Sequence, residues 1–165
     1  MFYFNRFIFR NNFSFIKTFK IINLKLLIKD LKDSIDFELT STNHIIIECK
    51  VNNKSGLFLV DTGASNSCIN YLSASKFNLE FDESDEAASS ATGKITKTYY
   101  SKNNILKIGD FKKNDFELVL FEMTFINNTL KEKGVSDVDG IIGGDILSEL
   151  NACVNYKKKE IILEF

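Results

Sequence analysis

The chain has 165 residues, which is enough for one domain of ordinary size whose core needs no disulfide bond or structural metal. Its net charge is −1, but residues 1–29 carry six basic side chains and no acid, which leaves 15 basic and 22 acidic residues in the remainder. A remainder with a net charge of −7 argues against a nucleic-acid-binding face, so no nucleic-acid partner is expected.

Histidine and cysteine usage excludes several classes of active site. His44 is the only histidine, so one chain cannot build a histidine-based catalytic triad or a multi-histidine metal site, and no metal or cofactor is expected. The cysteines, Cys49, Cys68 and Cys153, form no CxxC pair, and their odd number fits poorly with a disulfide framework. We expect all three to be reduced core residues, because free cysteine is usually buried.

Residues 1–29 combine seven phenylalanines with the six basic residues. Basic and polar residues interrupt the apolar ones every few positions, so the pattern predicts neither a membrane-spanning helix of about 20 residues nor the apolar core of a secretory signal. Three alternatives stay open: an extension whose phenylalanines pack on the domain or on a second subunit, a basic and aromatic anchor for weak contact with an anionic membrane surface, and a cleaved targeting or pro-segment. We expect a cytoplasmic protein, with membrane-surface association as an open alternative.

The amino-terminal extension is expected to end shortly before the first strands. Residues 30–36 are charged and indicate a linker or the end of a short helix, so we divide the chain into an extension at 1–36 and a domain at 37–165. Strands are predicted at 37–40 and 45–51, where apolar and polar residues alternate.

A hairpin leads from these strands to an isolated carboxylate. The turn cluster Asn-Asn-Lys-Ser-Gly at 52–56 lies between two apolar runs, which is a hairpin signal. The second run, 56–60, is typical of a strand buried on both faces, and it ends at Asp61. A carboxylate there is costly to bury unless hydrogen bonds compensate it, and Thr62 and Gly63 supply a hydroxyl and a residue that can turn tightly.

Three short elements are predicted after this loop: a strand at 68–69, about two helical turns at 71–77 and a strand fragment at 78–81. Residues 82–90 are acidic and rich in Ser and Ala, a composition that buries little and indicates a mobile loop. The pattern at 91–99 predicts a hairpin with Gly93 near its tip.

The last third of the chain alternates strands with one helix. Apolar residues at helical spacing predict a helix at 123–133, with Gly134 as its stop. Strands are predicted at 105–110, 116–121, 153–156 and 160–165.

Two sequence motifs occur in this chain in a fixed order, separated by about 80 residues. They are Asp-Thr-Gly-Ala-Ser at 61–65, after its buried strand, and Gly-Ile-Ile-Gly-Gly-Asp-Ile-Leu at 140–147. Together they resemble the active-site loop and the closing motif of the retropepsin-like aspartic protease family, which is single-domain and retroviral in type. The resemblance spans about residues 37–165 and implies an all-β fold, a closed acid-protease barrel with one or two short helices. The closing motif implies a short helix after its glycines, and Asp145 is expected to cap the free amides at that helix start.

The resemblance also implies an activity, an assembly and a site. It implies an aspartic endopeptidase that hydrolyses peptide bonds of peptide or protein substrates as a homodimer, because carboxylate-based hydrolysis needs two acids and this chain has one Asp-Thr-Gly. A hairpin that closes over bound peptide, the flap, would lie near Gly93. The implied site consists of Asp61, Thr62 and Gly63 as catalytic residues and Ala64, Thr92 and Gly93 as substrate-binding residues.

Plainer interpretations of the same residues stay open. Asp61 could cap a turn with no chemical role, and the hairpin with Gly93 could be an ordinary exposed one. The domain could also be a catalytically silent peptide-binding or dimerisation module. One position departs from the family: many members carry arginine where this chain has Gly144, and that arginine braces the dimer or the active-site loop. The details of the subunit contact are therefore not carried over from the family.

Overall fold

The computed structural model describes residues 32–84, 89–90, 93–94 and 97–165, which form a protein built mostly of β-strands. The predictions made for residues 1–31 lie outside this part of the chain. The strands are β1 Lys32–Asp36, β2 Glu38–Leu39, β3 Ile45–Val51, β4 Lys54–Val60, β5 Cys68–Asn70, β6 Asp82–Ser84, β7 Ser89–Ser90, β8 Gly93–Lys94, β9 Thr98–Ile108, β10 Phe111–Phe121, β11 Gly140–Ile142, β12 Cys153–Asn155 and β13 Glu160–Glu164. The helices of the described residues are α1 Thr124–Lys131, α2 Gly144–Glu149 and the 3-10 helix Tyr71–Ser73.

Six strands close into a barrel in the order β3-β4-β11-β5-β10-β9, because β9 pairs back onto β3. The pairs β4–β11 and β5–β10 are parallel, and the other neighbours around the barrel are antiparallel. β2 and β6 extend this sheet, while β1, β13 and β12 form a separate three-stranded sheet. The predicted fold class, an all-β closed barrel with short helices, is confirmed.

The hairpin of β3 and β4 carries the chain to Asp61 as predicted. Asn52 and Asn53 have φ angles of 49° and 64°, the left-handed conformation of a two-residue turn that matches the twist of the flanking strands. The two strands pair along their whole length, from Val51 opposite Lys54 to Ile45 opposite Val60. This register fixes the end of β4, and Asp61 follows it directly.

Apolar side chains form one cluster inside the barrel and another on its outer face. Alternation along the strands separates them, since successive side chains point to opposite faces. The inner cluster takes Ile45, Ile47, Cys49 and Val51 from β3 and Phe58 from β4. The outer cluster takes Ile46 and Leu59 from the opposite faces of the same strands, together with Met123, Leu130 and Val138. Because α1 contributes Leu130 and begins after Met123, it covers this outer face.

The helix at 123–133 is confirmed by α1, which spans Thr124–Lys131. Its stop is also confirmed, because Gly134 adopts φ 73° and its amide donates to the Lys131 carbonyl. The strands predicted in the last third are present, and two of them are longer than predicted because β9 and β10 pair as one long hairpin. Within the described residues no helix has both the length and the apolar character needed to cross a membrane.

Two predictions of local structure, at 30–36 and at 78–81, are wrong. Residues 32–36 form β1 rather than a linker or helical end, because the strand joins β13 and Ile35 packs against the inner cluster. Residues 78–81 do not form a strand, since Asn78 turns the chain at φ 52°. The strand begins instead at Asp82, where β6 can pair with β9.

Three further predictions need correction. The 3-10 helix and the turns after it occupy 71–77, in place of two regular helical turns. Parts of the predicted loop at 82–90 are strands, because β6 pairs with β9 and β7 pairs with β8. Cys49 and Cys68 are buried and reduced as expected, but Cys153 is exposed, because β12 is the edge strand of the three-stranded sheet.

Candidate active site

Asp61 lies where β4 ends and the chain turns away from the barrel. Its amide donates to the Ile142 carbonyl at 3.0 Å, which ties it to the neighbouring strand β11. The Gly63 amide donates to Asp61 Oδ1 at 2.8 Å, and the Ala64 amide donates to the Asp61 carbonyl at 3.2 Å. These bonds build a tight turn and orient the carboxylate, which is half-buried.

One oxygen of this carboxylate is left open. Asp61 Oδ2 accepts no hydrogen bond from the described residues, whereas Oδ1 is held by Gly63. Thr62 and Gly63 are exposed beside it, and the Thr62 hydroxyl likewise makes no hydrogen bond within the described part of the chain. The turn therefore presents an oriented acid and a free hydroxyl on one surface.

The loop that contains this turn crosses over the end of β11. β11 lies between β4 and β5, and residues 61–67 connect those two strands. Beneath the loop, the Gly144 amide donates to the Ala64 carbonyl at 2.7 Å and the Asp145 amide donates to the Ser65 carbonyl at 3.2 Å. The closing motif and the Asp61 loop are therefore in direct contact, as two motifs of one site should be.

Gly143 lets the two segments approach closely. A Cβ at this position would lie 2.8 Å from the Asn66 carbonyl carbon and 2.9 Å from the Ala64 oxygen, and both are backbone atoms. A Cβ at Gly144 would meet the Ala64 oxygen at 3.4 Å, which is an ordinary contact. The close approach of residues 64–66 to Gly143, here called the glycine crossing, therefore requires a glycine at 143. Gly144 is not required sterically.

Asp145 fastens the other end of the loop. Its Oδ1 accepts from the Ser67 amide at 2.9 Å and from the Ser67 hydroxyl at 2.7 Å, and that hydroxyl accepts from the Gly143 amide at 2.9 Å. The prediction that Asp145 caps its own helix is therefore wrong, because the carboxylate turns toward the loop. α2 has Gly143 as its N-cap with no side-chain cap bond.

A third carboxylate, Asp139, was missed from the sequence. It accepts hydrogen bonds from two segments. From β4, the Leu57 amide donates to Oδ2 at 3.0 Å, and from residues 71–77, Lys76 Nζ donates to the same oxygen at 2.7 Å and the Ser73 hydroxyl donates to Oδ1 at 2.9 Å. Both of its oxygens are occupied, unlike those of Asp61, so its role is to hold β11 against β4. The sequence feature that could have indicated this role is the position of Asp139, an acidic residue directly before the apolar run 140–142.

Cys68 lies in β5, just after the Asp61 loop. Burial raises the pKa of its thiol to about 12; a backbone hydrogen bond from Ile141 opposes this, and the charges of Asp145 and Asp61 add to it. The thiol is therefore neutral at physiological pH and is not a nucleophile, since thiolate is the reactive form. Elsewhere in the described residues, no group of three or more His, Cys, Asp or Glu side chains could hold a metal ion.

The structure describes all three predicted catalytic residues and, of the predicted substrate-binding residues, Ala64 and the backbone of Gly93. Asp61, Thr62, Gly63 and Ala64 share one turn, and Ala64 packs against the outer apolar cluster. The backbone of Gly93 lies in β8 and pairs with Ser90 in β7, so a hairpin is present where one was predicted. Thr92 lies outside the described residues. The roles of all six residues stay predictions.

Comparison with known proteins decides the family. A family model described as aspartyl protease matches residues 47–146, a range that holds both the Asp61 turn and the glycine crossing. The chain belongs to the aspartyl protease family. No curated protein matches this family member significantly.

Solved structures give the fold of this aspartyl protease family member. It is similar to the crystal structure of a retropepsin-like aspartic protease from Rickettsia conorii, with 20% identity, a TM-score of 0.51 and coverage of 81% of this chain and 89% of that one. It also matches EIAV protease complexed with the inhibitor HBY-793, with 15% identity, a TM-score of 0.49 and coverage of 67% and 90%. The similarity to the Rickettsia conorii structure shows that the closed barrel is retropepsin-like.

Proposed function

We propose that this chain is an aspartic endopeptidase that works as a homodimer, with a water molecule activated between the Asp61 carboxylates of two chains. The observation that carries the proposal is the Asp61 turn, an oriented, half-buried carboxylate with one open oxygen next to an exposed, unbonded Thr62 hydroxyl in the described structure. The second oxygen of Asp61 is therefore available at the surface for a water molecule or for a second carboxylate. Both oxygens of Asp139, by contrast, accept hydrogen bonds, from β4 and from residues 71–77.

Peptide hydrolysis by carboxylates needs one group to accept a proton and another to donate one. The chain contains a single Asp-Thr-Gly, so the second carboxylate must come from another chain. A twofold axis next to Asp61 would bring each carboxylate beside its own copy. Two carboxylates that close cannot both ionise readily, so the pair would hold one proton, a pattern for which aspartic proteases are the standard example.

The shared proton gives the two copies of Asp61 different roles. The ionised copy takes a proton from the water as its oxygen attacks the peptide carbonyl carbon, and the protonated copy donates its proton to the carbonyl oxygen. The tetrahedral diol then collapses: the copy of Asp61 that took the proton from water gives it to the amide nitrogen, and the other copy, now ionised, takes a proton from a diol hydroxyl as the carbon–nitrogen bond breaks. A carboxylic acid and an amine are left, and the pair again holds one proton. No covalent bond forms between substrate and enzyme at any step.

The neighbouring residues would align this pair and the substrate. The Gly63 amide fixes the orientation of Asp61, and the Thr62 hydroxyl would donate to the backbone of the opposite loop across the twofold axis. An extended peptide would pass beside Ala64 and pair like an added strand. The hairpin that contains Thr92 and Gly93 would close over it as a flap and exclude water.

The proposal is tested by purifying the wild type and Asp61→Asn and assaying both on a diverse peptide library in the acidic range. Asn keeps an acceptor for the Gly63 amide, so the turn should survive while the proton-transfer chemistry is lost. We expect turnover to fall by about 1000-fold or more, because the variant lacks a group that the proton transfers require. Asp137→Asn is the matched control, since Asp137 is exposed and pairs only with Lys131 among the described residues.

Two outcomes would count against the enzyme proposal. Equal turnover by wild type and Asp61→Asn would point to a contaminant or to another site. Peptide binding by a folded wild type with no cleavage at any pH would support the catalytically silent peptide-binding module instead.

A further inference from the structure

The only histidine of the chain has no part in the mechanism proposed above. His44 is exposed and lies in the turn that joins β2 to β3. Its Nδ1 is 2.7 Å from the Thr42 hydroxyl oxygen, whereas no described residue makes a hydrogen bond to its Nε2. One ring nitrogen is therefore held by the protein, and the other is open to a ligand.

Hydrogen bonds within the turn hold this ring in place. The Thr40 hydroxyl oxygen accepts from the His44 amide at 3.0 Å and lies 2.9 Å from the Thr42 hydroxyl oxygen. The Thr40 amide in turn donates to the His44 carbonyl at 2.9 Å. The Ser41 hydroxyl donates to the Lys133 carbonyl at 3.0 Å, which fastens the turn to the segment that follows α1. The imidazole thus projects from a well-anchored turn.

The hydroxyl hydrogens of the turn determine which ring nitrogen carries the hydrogen. Thr40 is buried, and the one acceptor within reach of its hydroxyl hydrogen among the described residues is the Thr42 oxygen. The Thr42 hydroxyl then donates its own hydrogen to His44 Nδ1. The opposite direction would leave the buried Thr40 hydroxyl hydrogen without an acceptor, which is costly. A neutral imidazole that accepts at Nδ1 carries its hydrogen on Nε2, so His44 presents an exposed N–H donor.

Strand register places His44 at the same end of the barrel as Asp61. Ile45 is paired with Val60, and His44 and Asp61 are the next residues beyond this pair. Cα atoms of paired residues lie about 4.5–5.5 Å apart, and consecutive Cα atoms about 3.8 Å apart. The Cα atoms of His44 and Asp61 are therefore separated by no more than about 13 Å.

Strand alternation also places the two residues on one face of the sheet. Side chains two positions apart on a strand point to the same face. Ile46 and Leu59, which are two positions from His44 and Asp61, both belong to the outer cluster. Ala64 of the Asp61 loop packs against the same cluster. His44 and Asp61 thus both fall on the outer face.

We propose that His44 is a substrate-recognition residue whose Nε2–H donates to a carboxylate or carboxamide oxygen of a peptide side chain near the cleaved bond. The inference rests on the proposed function, in which an extended peptide passes the Asp61 turn. Such a peptide advances about 3.3 Å per residue, so a separation of up to about 13 Å corresponds to a side chain within about four residues of that bond. The twofold axis would supply one His44 on either side of it.

Cleavage of matched peptides tests this recognition. In a peptide that the wild type cleaves, Glu, Gln or Met is placed in turn at each of about four positions on either side of the cleaved bond. Met has a similar length and no oxygen acceptor, and the comparison of Glu with Gln distinguishes a carboxylate from a carboxamide. At one or more positions we expect Glu or Gln to raise kcat/KM about five- to tenfold over Met, which is the effect of one hydrogen bond.

Variants of His44 assign the preference to the imidazole. His44→Leu should abolish it and change kcat/KM for the Met peptides by less than about twofold, because those peptides make no bond to the ring. His44→Gln is the conservative variant, since its side-chain amide keeps an N–H donor, and it should retain part of the preference.

Nuclear magnetic resonance gives a readout that does not depend on cleavage. Because the chain has one histidine, long-range 1H–15N spectra report its ring alone. Above about pH 8 we expect the hydrogen on Nε2 in the wild type and a mixture of tautomers in Thr42→Val, which cannot donate to Nδ1. In Asp61→Asn, which should bind peptides without cutting them, the preferred Glu or Gln peptide should shift the Nε2 signal, and the matched Met peptide about half as far or less.

The outcomes separate this inference from the proposed function. If the wild type cleaves peptides but shows no preference for Glu or Gln, or if His44→Leu keeps that preference, the inference is overturned and the protease proposal stands. A hydrogen on Nδ1 would also overturn it, since Nε2 would then be an acceptor. Equal slowing of all peptides by His44→Leu, with fewer dimers in analytical ultracentrifugation, would place His44 at the subunit contact instead.

A wild type that cleaves nothing would defeat the protease proposal, and the spectra would then decide the inference separately. A shift of the Nε2 signal by the Glu or Gln peptide alone would support His44 as a recognition residue of a peptide-binding module. No shift with any peptide would overturn the inference as well.

Discussion

The glycine crossing gives the sharpest prediction about how the site is built. Gly143→Ala would place a Cβ 2.8 Å from the Asn66 carbonyl carbon and 2.9 Å from the Ala64 oxygen. Gly143 has φ −99° and ψ −173°, an extended conformation that alanine adopts without strain. The effect of the substitution is therefore steric alone, and it falls on the backbone of the loop that carries Asp61.

The magnitude follows from the size of this overlap. Ordinary Cβ contacts begin near 3.4 Å, so the loop must move by about half an ångström, and overpacking of this kind costs about 1–3 kcal/mol. The movement also strains the bond from the Gly143 amide to the Ser67 hydroxyl, which is 2.9 Å long in the native structure. Since small misplacements of reacting groups are costly, kcat/KM should fall by about 10- to 100-fold.

Gly144→Ala is the matched control for this substitution. Its Cβ would meet the Ala64 oxygen at 3.4 Å, and the residue is the first of α2. The free energy of unfolding should therefore be unchanged or raised by up to about 1 kcal/mol. Urea unfolding followed by far-UV circular dichroism measures both variants, since the chain has no tryptophan to report by fluorescence. If Gly143→Ala proved as stable and as active as Gly144→Ala, the account of the crossing would be refuted.

Two further predictions concern residues next to the loop. Ser67→Ala removes the hydroxyl that joins the Gly143 amide to Asp145, so the free energy of unfolding should fall by about 1–3 kcal/mol, because buried polar groups lose their partner. Ser65→Ala, at an exposed serine of the same loop, should change it by less than about 0.5 kcal/mol, and equal losses in the two variants would contradict the role given to Ser67. Iodoacetamide at about pH 8 should label exposed Cys153 and spare Cys68 in the native protein, because burial raises the pKa of Cys68 to about 12 and little thiolate forms below that value. Mass spectrometry of labelled peptides measures this, and native labelling of Cys68 as fast as Cys153 would rule it out.

The sequence predicted the parts of the fold that depend on local pattern. β3, the Asn52-Asn53 turn and β4 follow from alternation and turn chemistry within one short stretch. α1 and its stop at Gly134 follow from helical spacing and a glycine. In both cases the residues that determine the element lie within it or a few residues away in the chain.

Elements that depend on distant partners were missed. β1 is a strand because β13, more than a hundred residues later in the chain, pairs with it, and its own charged sequence resembles a linker. Asp145 was expected at its own helix, but its carboxylate turns to Ser67, which approaches only when the barrel closes. The hydrogen bonds of Asp139 and the stacking of Tyr71 on Tyr99 likewise join residues that no local pattern connects.

The central claim is that two chains each supply one Asp61 to a shared catalytic centre, and subunit mixing tests it most directly. Wild-type protein at a fixed concentration, high enough for the chains to be dimeric, is mixed with increasing amounts of Asp61→Asn, left to exchange subunits and assayed for peptide cleavage. If both copies of Asp61 are needed, random pairing leaves about half of the activity at equal amounts and about one tenth at a ninefold excess of the variant. Activity that stays constant at every ratio would mean that one chain holds a complete site, and it would contradict the account.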